Sequence, residues 1–194
     1  MRDHRLVLYS LAGKAISNGV WMISLTLGAA LLASRELHGG VGRYGLIVGA
    51  YGAGNIVSNL LVGSRMIRRQ AVSIFSGFLV MGGGFLLMVL APSVPLAMLA
   101  AGLAAFGGPM GDLPIMTMLQ TDFPASQIGK VYSLSATTSS AGGLFGLLLA
   151  APLYTHLNTR IIILFSSLVV IAAGAASLTR FGWSAAPLGA HQET

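Results

Sequence analysis

The chain contains no cysteine among its 194 residues, so no disulfide, thiolate metal site or cysteine nucleophile is available. Charge is also scarce. Asp, Glu, Lys and Arg together make up 8% of the chain, against about 25% in soluble domains. Hydrophobic residues reach 55%, and 26 glycines are present, a content that membrane helices tolerate better than soluble ones. The low charge and the high hydrophobic content exclude an ordinary soluble domain.

Six stretches of eighteen or more residues carry no Asp, Glu, Lys or Arg: 15–34, 44–64, 71–91, 94–111, 131–155 and 161–179. A helix needs about 20 mostly apolar residues to cross the hydrocarbon layer, and it satisfies its own backbone there. The sequence therefore predicts an all-α polytopic membrane protein, with one six-helix bundle over residues 1–194. The predicted transmembrane helices are 6–33, 44–63, 71–91, 94–118, 131–154 and 160–180.

The first apolar stretch, 6–33, is far longer than the 7–15-residue core of a signal peptide, so we interpret it as a retained span. The basic residues lie in loops and termini, and none of their clusters has the aromatic interleaving of a nucleic-acid surface. The positive-inside rule predicts an integral protein of the plasma or inner membrane with both termini cytoplasmic. The richer side carries Arg2, Arg5, Arg65, Arg68, Arg69, Lys130 and Arg180, and the other side carries Arg35, Arg43 and Arg160.

The spans group as three plus three. Residues 53–63 of the second span echo residues 142–152 of the fifth, because a pair of small residues opens both segments and an apolar run follows. The second and fifth spans cross the membrane in opposite directions. The pattern therefore predicts an inverted repeat.

Two ionisable residues, Lys14 and Asp112, interrupt apolar segments. Such groups are costly in lipid and usually face a bundle interior or a water-filled cavity. Two alternatives stay open: Lys14 can extend to the interface, and Asp112 can cap a helix or pair with Lys14. Helical spacing predicts one cavity face, suited to amphipathic solutes, on the first span: Lys14, Asn18, Trp21, Met22 and Leu25.

Small and polar residues mark the second, fourth and fifth spans. Residues 107–114 include two prolines and three glycines, which predict a weakened or kinked fourth helix. Small residues recur in the second and fifth spans and indicate either sliding helix contacts or static close packing. Asn55, Ser58 and Asn59 share a face, for which interhelical hydrogen bonding is the simplest interpretation.

No catalytic constellation is visible. The four histidines lack metal-ligand spacing, and neither a GxSxG motif nor a pair of intramembrane carboxylates is present. We therefore expect no enzyme activity, no metal and no cofactor, with proton coupling as the one chemistry that the carboxylate of Asp112 suggests.

Three segments resemble the carboxy-terminal half of a major facilitator superfamily transporter. Residues 120–133 are similar to the family's loop between its tenth and eleventh helices, with Lys130 in place of the usual arginine. Residues 44–49 resemble the start of its eighth helix, and residues 63–69 resemble the basic loop after that helix, although the family's aspartate is missing here. The residues that carry this cytoplasmic loop motif are Arg65, Arg68, Arg69, Gln120, Gly129 and Lys130.

The resemblance implies half of a twelve-helix fold, with the first and fourth spans lining a central cavity. It implies alternating-access transport of a small solute by an exporter-like protein. The expected partners are the lipid bilayer, a small-molecule substrate and a second six-helix half, with no nucleic acid. That half would be a lost part of the same chain, a separate subunit or a second copy. The alternative is a membrane interaction or assembly module that keeps the fold without transporting.

Overall fold

The computed structural model describes residues 4–37, 40–64 and 69–181. Within these ranges the chain forms six helices that are long and apolar enough to cross a membrane. The predicted all-α polytopic fold is confirmed. The first helix, α1, joins four consecutive helical segments, His4–Trp21, Met22–Gly28, Ala29–Leu31 and Leu32–Glu36. The others are α2 (Val41–Gly63), α3 (Gln70–Leu90), α4 (Val94–Asp122), α5 (Ala125–His156) and α6 (Thr159–Phe181).

Two segments of α1, Met22–Gly28 and Leu32–Glu36, are wound as wide π-helix. Two tyrosines from other helices hydrogen-bond to carbonyl groups in this region. The hydroxyl of Tyr154 donates to the carbonyl of Ile23 at 3.0 Å, and that of Tyr44 donates to the carbonyl of Thr26 at 3.3 Å. Because π-helical winding pairs residues five apart, the side chains after Trp21 leave the face that ordinary α-helical spacing predicts.

The core lies around α3, which packs against α4 on one side and α6 on the other. Its side chains Phe75, Phe85 and Met88 are fully buried. Glycine allows the close approach. A Cβ atom on Gly107 of α4 would overlap the carbonyl oxygen of Gly77. Small residues thus allow van der Waals packing between helices in lipid, where the hydrophobic effect does not hold helices together.

The helix pairings repeat when α1–α3 are exchanged with α4–α6. Helix α2 packs on α4, as α5 packs on α1, and α3 packs on α4, as α6 packs on α1. The α2–α4 crossing and the α5–α1 crossing both depend on glycine. A Cβ atom on Gly54 would overlap the backbone of Gly102, and one on Gly142 would overlap the backbone of Ala15. Successive spans alternate in direction, so the repeat is inverted, which confirms the predicted three-plus-three architecture.

Helix α4 runs without a break through Pro109 and Pro114, so the predicted weakening does not interrupt it. Proline has no N–H, and Pro114 therefore leaves the carbonyl of Met110 without its helical donor. The hydroxyl of Ser73 on α3 donates to that carbonyl at 2.9 Å. A neighbouring helix thus supplies the missing donor, as membrane helices that contain proline require.

At the end where α1 stops and α6 starts, Arg160 connects three helices. Its guanidinium pairs with Glu36 of α1, with Nε 3.1 Å from the carboxylate oxygen Oε2. It also donates to the carbonyls of Val89, at 2.9 Å, and Ala91, at 3.3 Å, at the end of α3. The last carbonyls of a helix lack internal donors and carry partial negative charge, so an arginine stabilises them.

Candidate functional site

An ion pair joins α1 to α4 on the side of the bundle away from α3. The ammonium Nζ of Lys14 lies 2.9 Å from Oδ1 of Asp112. The Lys14 side chain is 13% exposed and that of Asp112 is 54% exposed. The lysine is therefore largely enclosed, while about half of the carboxylate side chain is uncovered by the described residues. The structure brings together the two residues that the sequence singled out separately, in the pairing that was one of the open alternatives.

The glycines around Asp112 determine where its side chain points. Gly107 and Gly111 are buried where α4 packs against α3. A Cβ atom on Gly108 would lie 3.6 Å from the side-chain nitrogen of Asn55 on α2. Each residue turns the helix by about 100°, so Asp112 follows Gly111 around the helix and points away from α3. It is left on the open side, beside α1.

Three residues of the predicted cavity face on α1 contact three different helices. Lys14 pairs with α4, as described. Asn18 donates from its amide nitrogen to the carbonyl of Ser139 on α5 at 2.7 Å. The rings of Trp21 and Tyr51, on α2, have centroids 6.3 Å apart. This part of α1 therefore faces α2, α4 and α5, the helices that surround the ion pair.

The other two residues predicted for that face behave differently. Leu25 is 2% exposed and belongs to the core, so its placement in a cavity is wrong. Met22 is half-buried, and its sulfur accepts a hydrogen bond from the hydroxyl of Thr26 at 3.7 Å. The physical reason is the change of winding after Trp21, which turns the following residues away from the α-helical stripe.

Helix α2 adds a polar strip beside the ion pair. The amide nitrogen of Asn59 donates to the side-chain oxygen of Asn55, one turn earlier, at 2.9 Å. The hydroxyl of Ser58 is buried and donates to the carbonyl of Phe106 on α4 at 3.1 Å. Of the three residues that share this predicted face, Ser58 makes an interhelical bond and the two asparagines bond within α2. The sequence reasoning missed Tyr51, although its spacing of four from Asn55 was a usable signal.

Helices α2 and α5 are the least enclosed of the described helices. Within the most apolar 18-residue stretch of each helix, 11% of the residues are buried in α2 and 22% in α5, against 56% in α3. A Cβ atom added at Gly45 or Gly49 of α2 would meet nothing within 4 Å. On α5, Phe145 is 65% exposed. Large parts of α2 and α5 therefore have no packing partner within the described chain.

Three of the four described residues of the predicted cytoplasmic loop motif lie in helices. Gln120 belongs to the end of α4, and Gly129 and Lys130 belong to the first turns of α5, so the connection between α4 and α5 is shorter than the sequence predicts. The helices continue past the apolar segments because a helical backbone bonds to itself in the interface as well as in lipid. Arg69 immediately precedes α3, and Arg65 and Arg68 lie outside the described residues. The part of the chain described contains no cluster of three His, Cys, Asp or Glu residues that could hold a metal ion.

Comparison with known proteins agrees with this architecture. A family model described as Major Facilitator Superfamily matches residues 11–190. The fold is similar to that of a bacterial homologue of the human lysosomal transporter Spinster, solved in an inward-facing, unoccupied conformation. The TM-score is 0.66 at 10% identity, over 91% of this chain and 42% of that one. No curated protein matches the chain.

Proposed function

Because the chain belongs to the major facilitator superfamily, we propose that it forms one six-helix half of a transporter that exports a small solute by alternating access. The six membrane-length helices and the family make it an integral membrane protein. The observation that carries the proposal is the Lys14–Asp112 pair, 2.9 Å apart, on an open side of the bundle. Ionisable groups inside a membrane domain are costly and commonly line substrate or ion pathways, which makes this pair the first candidate for the site.

The residues around the ion pair suit an amphipathic solute. Trp21 and Tyr51 supply aromatic surface at the level where α1 meets α2. Asp112 supplies a carboxylate, and Lys14 supplies its counter-charge. Protonation of Asp112 would release the lysine and change the charge of the cavity. If this protonation and its reversal were coupled to rocking of the two halves, a proton gradient would drive transport of the solute against its own gradient.

The second half would cover the exposed faces of α2 and α5. These faces hold open glycines and large apolar side chains, and the chain spans only 42% of the transporter that it resembles in fold. The second bundle is a missing part of the same polypeptide, a separate subunit or another copy. Open glycines allow close backbone contact with it, and contacts without interlocking side chains permit sliding.

The excess of basic residues on one side supports a plasma or inner membrane location with both termini cytoplasmic. The chain has no cysteine, so single-cysteine variants report topology without background. We expect an impermeant maleimide to label Gly42→Cys, in the first turn of α2, from outside intact cells. Ala125→Cys, at the start of α5, should react only after permeabilisation. Labelling of both positions from one side would contradict this topology.

Transport and the partner face are tested together in everted membrane vesicles, with ethidium as the fluorescent probe. An acid-inside gradient should drive ethidium accumulation in vesicles that carry the transporter. A photoreactive maleimide attached to Gly49→Cys should cross-link α2 to its partner bundle on illumination and stop this accumulation, because the halves can no longer rock. The mass of the product identifies the partner.

The matched control is Val169→Cys on α6, a side chain that is 54% exposed but lies on a helix outside the proposed contact. Illumination there should leave accumulation unchanged and yield no protein cross-link. Equal inhibition at both positions would contradict the assigned partner face. Failure of the vesicles to accumulate any of a panel of amphipathic cations and anions would contradict export itself.

A further inference from the structure

Two arginines lie at the end of the bundle where α1 begins and α6 ends. Arg5 is in the first turns of α1 and Arg180 is in the last turn of α6, and both are exposed. Within the described residues neither forms an ion pair. The guanidinium carbon of Arg180 lies 5.3 Å from the ring centroid of Tyr9. Tyr9 follows Arg5 by one helical turn, so both arginines are close to the same tyrosine.

Arg5 and Arg180 place two guanidiniums at this end of the bundle. Among the described residues, the first turn of α1 holds Arg5 and no acidic residue, and Asp3 precedes it in the sequence. An anionic headgroup between the two arginines would receive charge-assisted hydrogen bonds from both.

An apolar stripe continues from this basic end along α1. Arg5, Tyr9, Ala12 and Ile16 are spaced as one helix face, and all four are exposed. Tyr9 and Ile16 are each 38% exposed. From Arg5, the stripe runs about 16 Å along the helix axis, at about 1.5 Å per residue. A charged end followed by an apolar track matches the headgroup and the upper acyl chain of a phospholipid.

The stripe lies between α5 and α6. On one flank of it, α1 packs against α5, where Gly19 meets Gly146. On the other flank, the ring of Tyr9 packs edge-on against that of Phe181 on α6, with centroids 5.1 Å apart. Helices α5 and α6 barely touch each other. The exposed stripe of α1 is therefore the floor of a groove with α5 and α6 as its walls.

This groove lies on the opposite side of α1 from the ion pair. Lys14 follows Arg5 by nine residues, which is about 180° around a helix that turns 100° per residue. A second bundle that faces Lys14 therefore does not cover the stripe. The bilayer is left as its neighbour, and the two guanidiniums select the negatively charged molecules in it.

We propose that the α1–α5–α6 groove binds an anionic phospholipid. Its phosphate would lie between Arg5 and Arg180, and one acyl chain would follow Tyr9, Ala12 and Ile16. Charge-assisted hydrogen bonds from guanidinium to phosphate are strong and often bidentate. Basic pockets between transmembrane helices are suited to such headgroups. This site would make the stability of the bundle depend on the lipid composition of the membrane, and it requires neither the transport direction nor the partner to be known.

The test uses the purified full chain in detergent, with native mass spectrometry and thermal unfolding as readouts. Phosphatidylglycerol should bind and raise the melting temperature, and phosphatidylcholine should do neither. Replacing Arg5 or Arg180 by glutamine should raise the apparent dissociation constant for phosphatidylglycerol about fivefold each, and roughly thirtyfold together, at about 1 kcal/mol per arginine. The double variant with lysine keeps the charge and should retain most of the binding, which controls for folding.

Arg43→Gln is the charge-matched control, since Arg43 lies at the start of α2, at the other end of the bundle. It should leave phosphatidylglycerol binding unchanged. Three results would overturn the proposal. The first is undiminished binding to the double glutamine variant, and the second is an equal loss in Arg43→Gln. The third is an equal thermal shift with inorganic phosphate alone, which would mean an anion site without an acyl track.

Discussion

Asp112→Asn should reduce proton-driven ethidium accumulation in everted vesicles to background while the protein still folds. The carboxylate is the one acidic group of the described cavity side, it is 54% exposed, and it pairs with Lys14 at 2.9 Å. An asparagine has similar shape and accepts a hydrogen bond from the lysine, but it cannot take up and release a proton. We expect a stability loss of about 1 kcal/mol, because the half-exposed carboxylate is screened by solvent.

Asp112→Glu should keep part of the transport, since a titratable carboxyl group remains. The matched control is Asp122→Asn, the same change at the end of the same helix, which should leave coupling intact. Transport is measured as ethidium accumulation against the imposed pH gradient, with the expression level of each variant as the reference.

The competing interpretation is that Asp112 only neutralises Lys14. In that case Asp112→Asn would lower the melting temperature modestly and leave proton coupling unchanged, and Lys14→Met would produce a comparable defect. The double variant Lys14→Met with Asp112→Asn would then recover stability, because no unpaired charge is left in the bundle. Unchanged coupling in Asp112→Asn would remove this residue from the mechanism.

Gly84→Ala should destabilise the bundle strongly, whereas Gly83→Ala, one residue earlier, should not. A Cβ atom on Gly84 would overlap the backbone of Ala104 on α4, so α3 and α4 would have to separate. A Cβ atom added to Gly83 would meet nothing within 4 Å. We expect a cost of about 3 kcal/mol for Gly84→Ala, at the upper end of overpacking, and a gain of up to about 1 kcal/mol for Gly83→Ala from helix propensity.

Thermal unfolding in one detergent, followed by the fraction of monodisperse protein, measures both changes. Gly82→Ala completes the series, because its Cβ atom would press on Val170 and Ile171 of α6. Its two nearest neighbours are side chains and the backbone oxygen of Ser167 is farther away, at 3.1 Å, so its cost should lie between the other two. Equal stability of Gly83→Ala and Gly84→Ala would contradict the close α3–α4 contact.

Rules that apply to a single segment of sequence identified the two ionisable residues of the site. Lys14 and Asp112 stood out because an ionisable group in an apolar segment is expensive, whatever surrounds it. Tyr51 was missed because its spacing of four from Asn55 places it on a polar face but does not by itself indicate a site. Its relevance comes from a ring that meets Trp21 of another helix. Leu25 was misplaced because helical spacing assumes constant winding, and the change to wide turns after Trp21 is associated with tyrosines elsewhere in the chain.

The sequence by itself determined the number of spans and the all-α class. The hydrocarbon layer requires about 20 apolar residues per crossing and leaves no partner for an unbonded backbone, and both requirements act on each segment separately. Only the tertiary structure decided which faces meet. Gly142 approaches Ala15, and Gly54 approaches Gly102, across large separations in sequence. Such contacts depend on the fit between two helix surfaces, which no single segment contains, and they bring Lys14 next to Asp112 and leave α2 and α5 exposed.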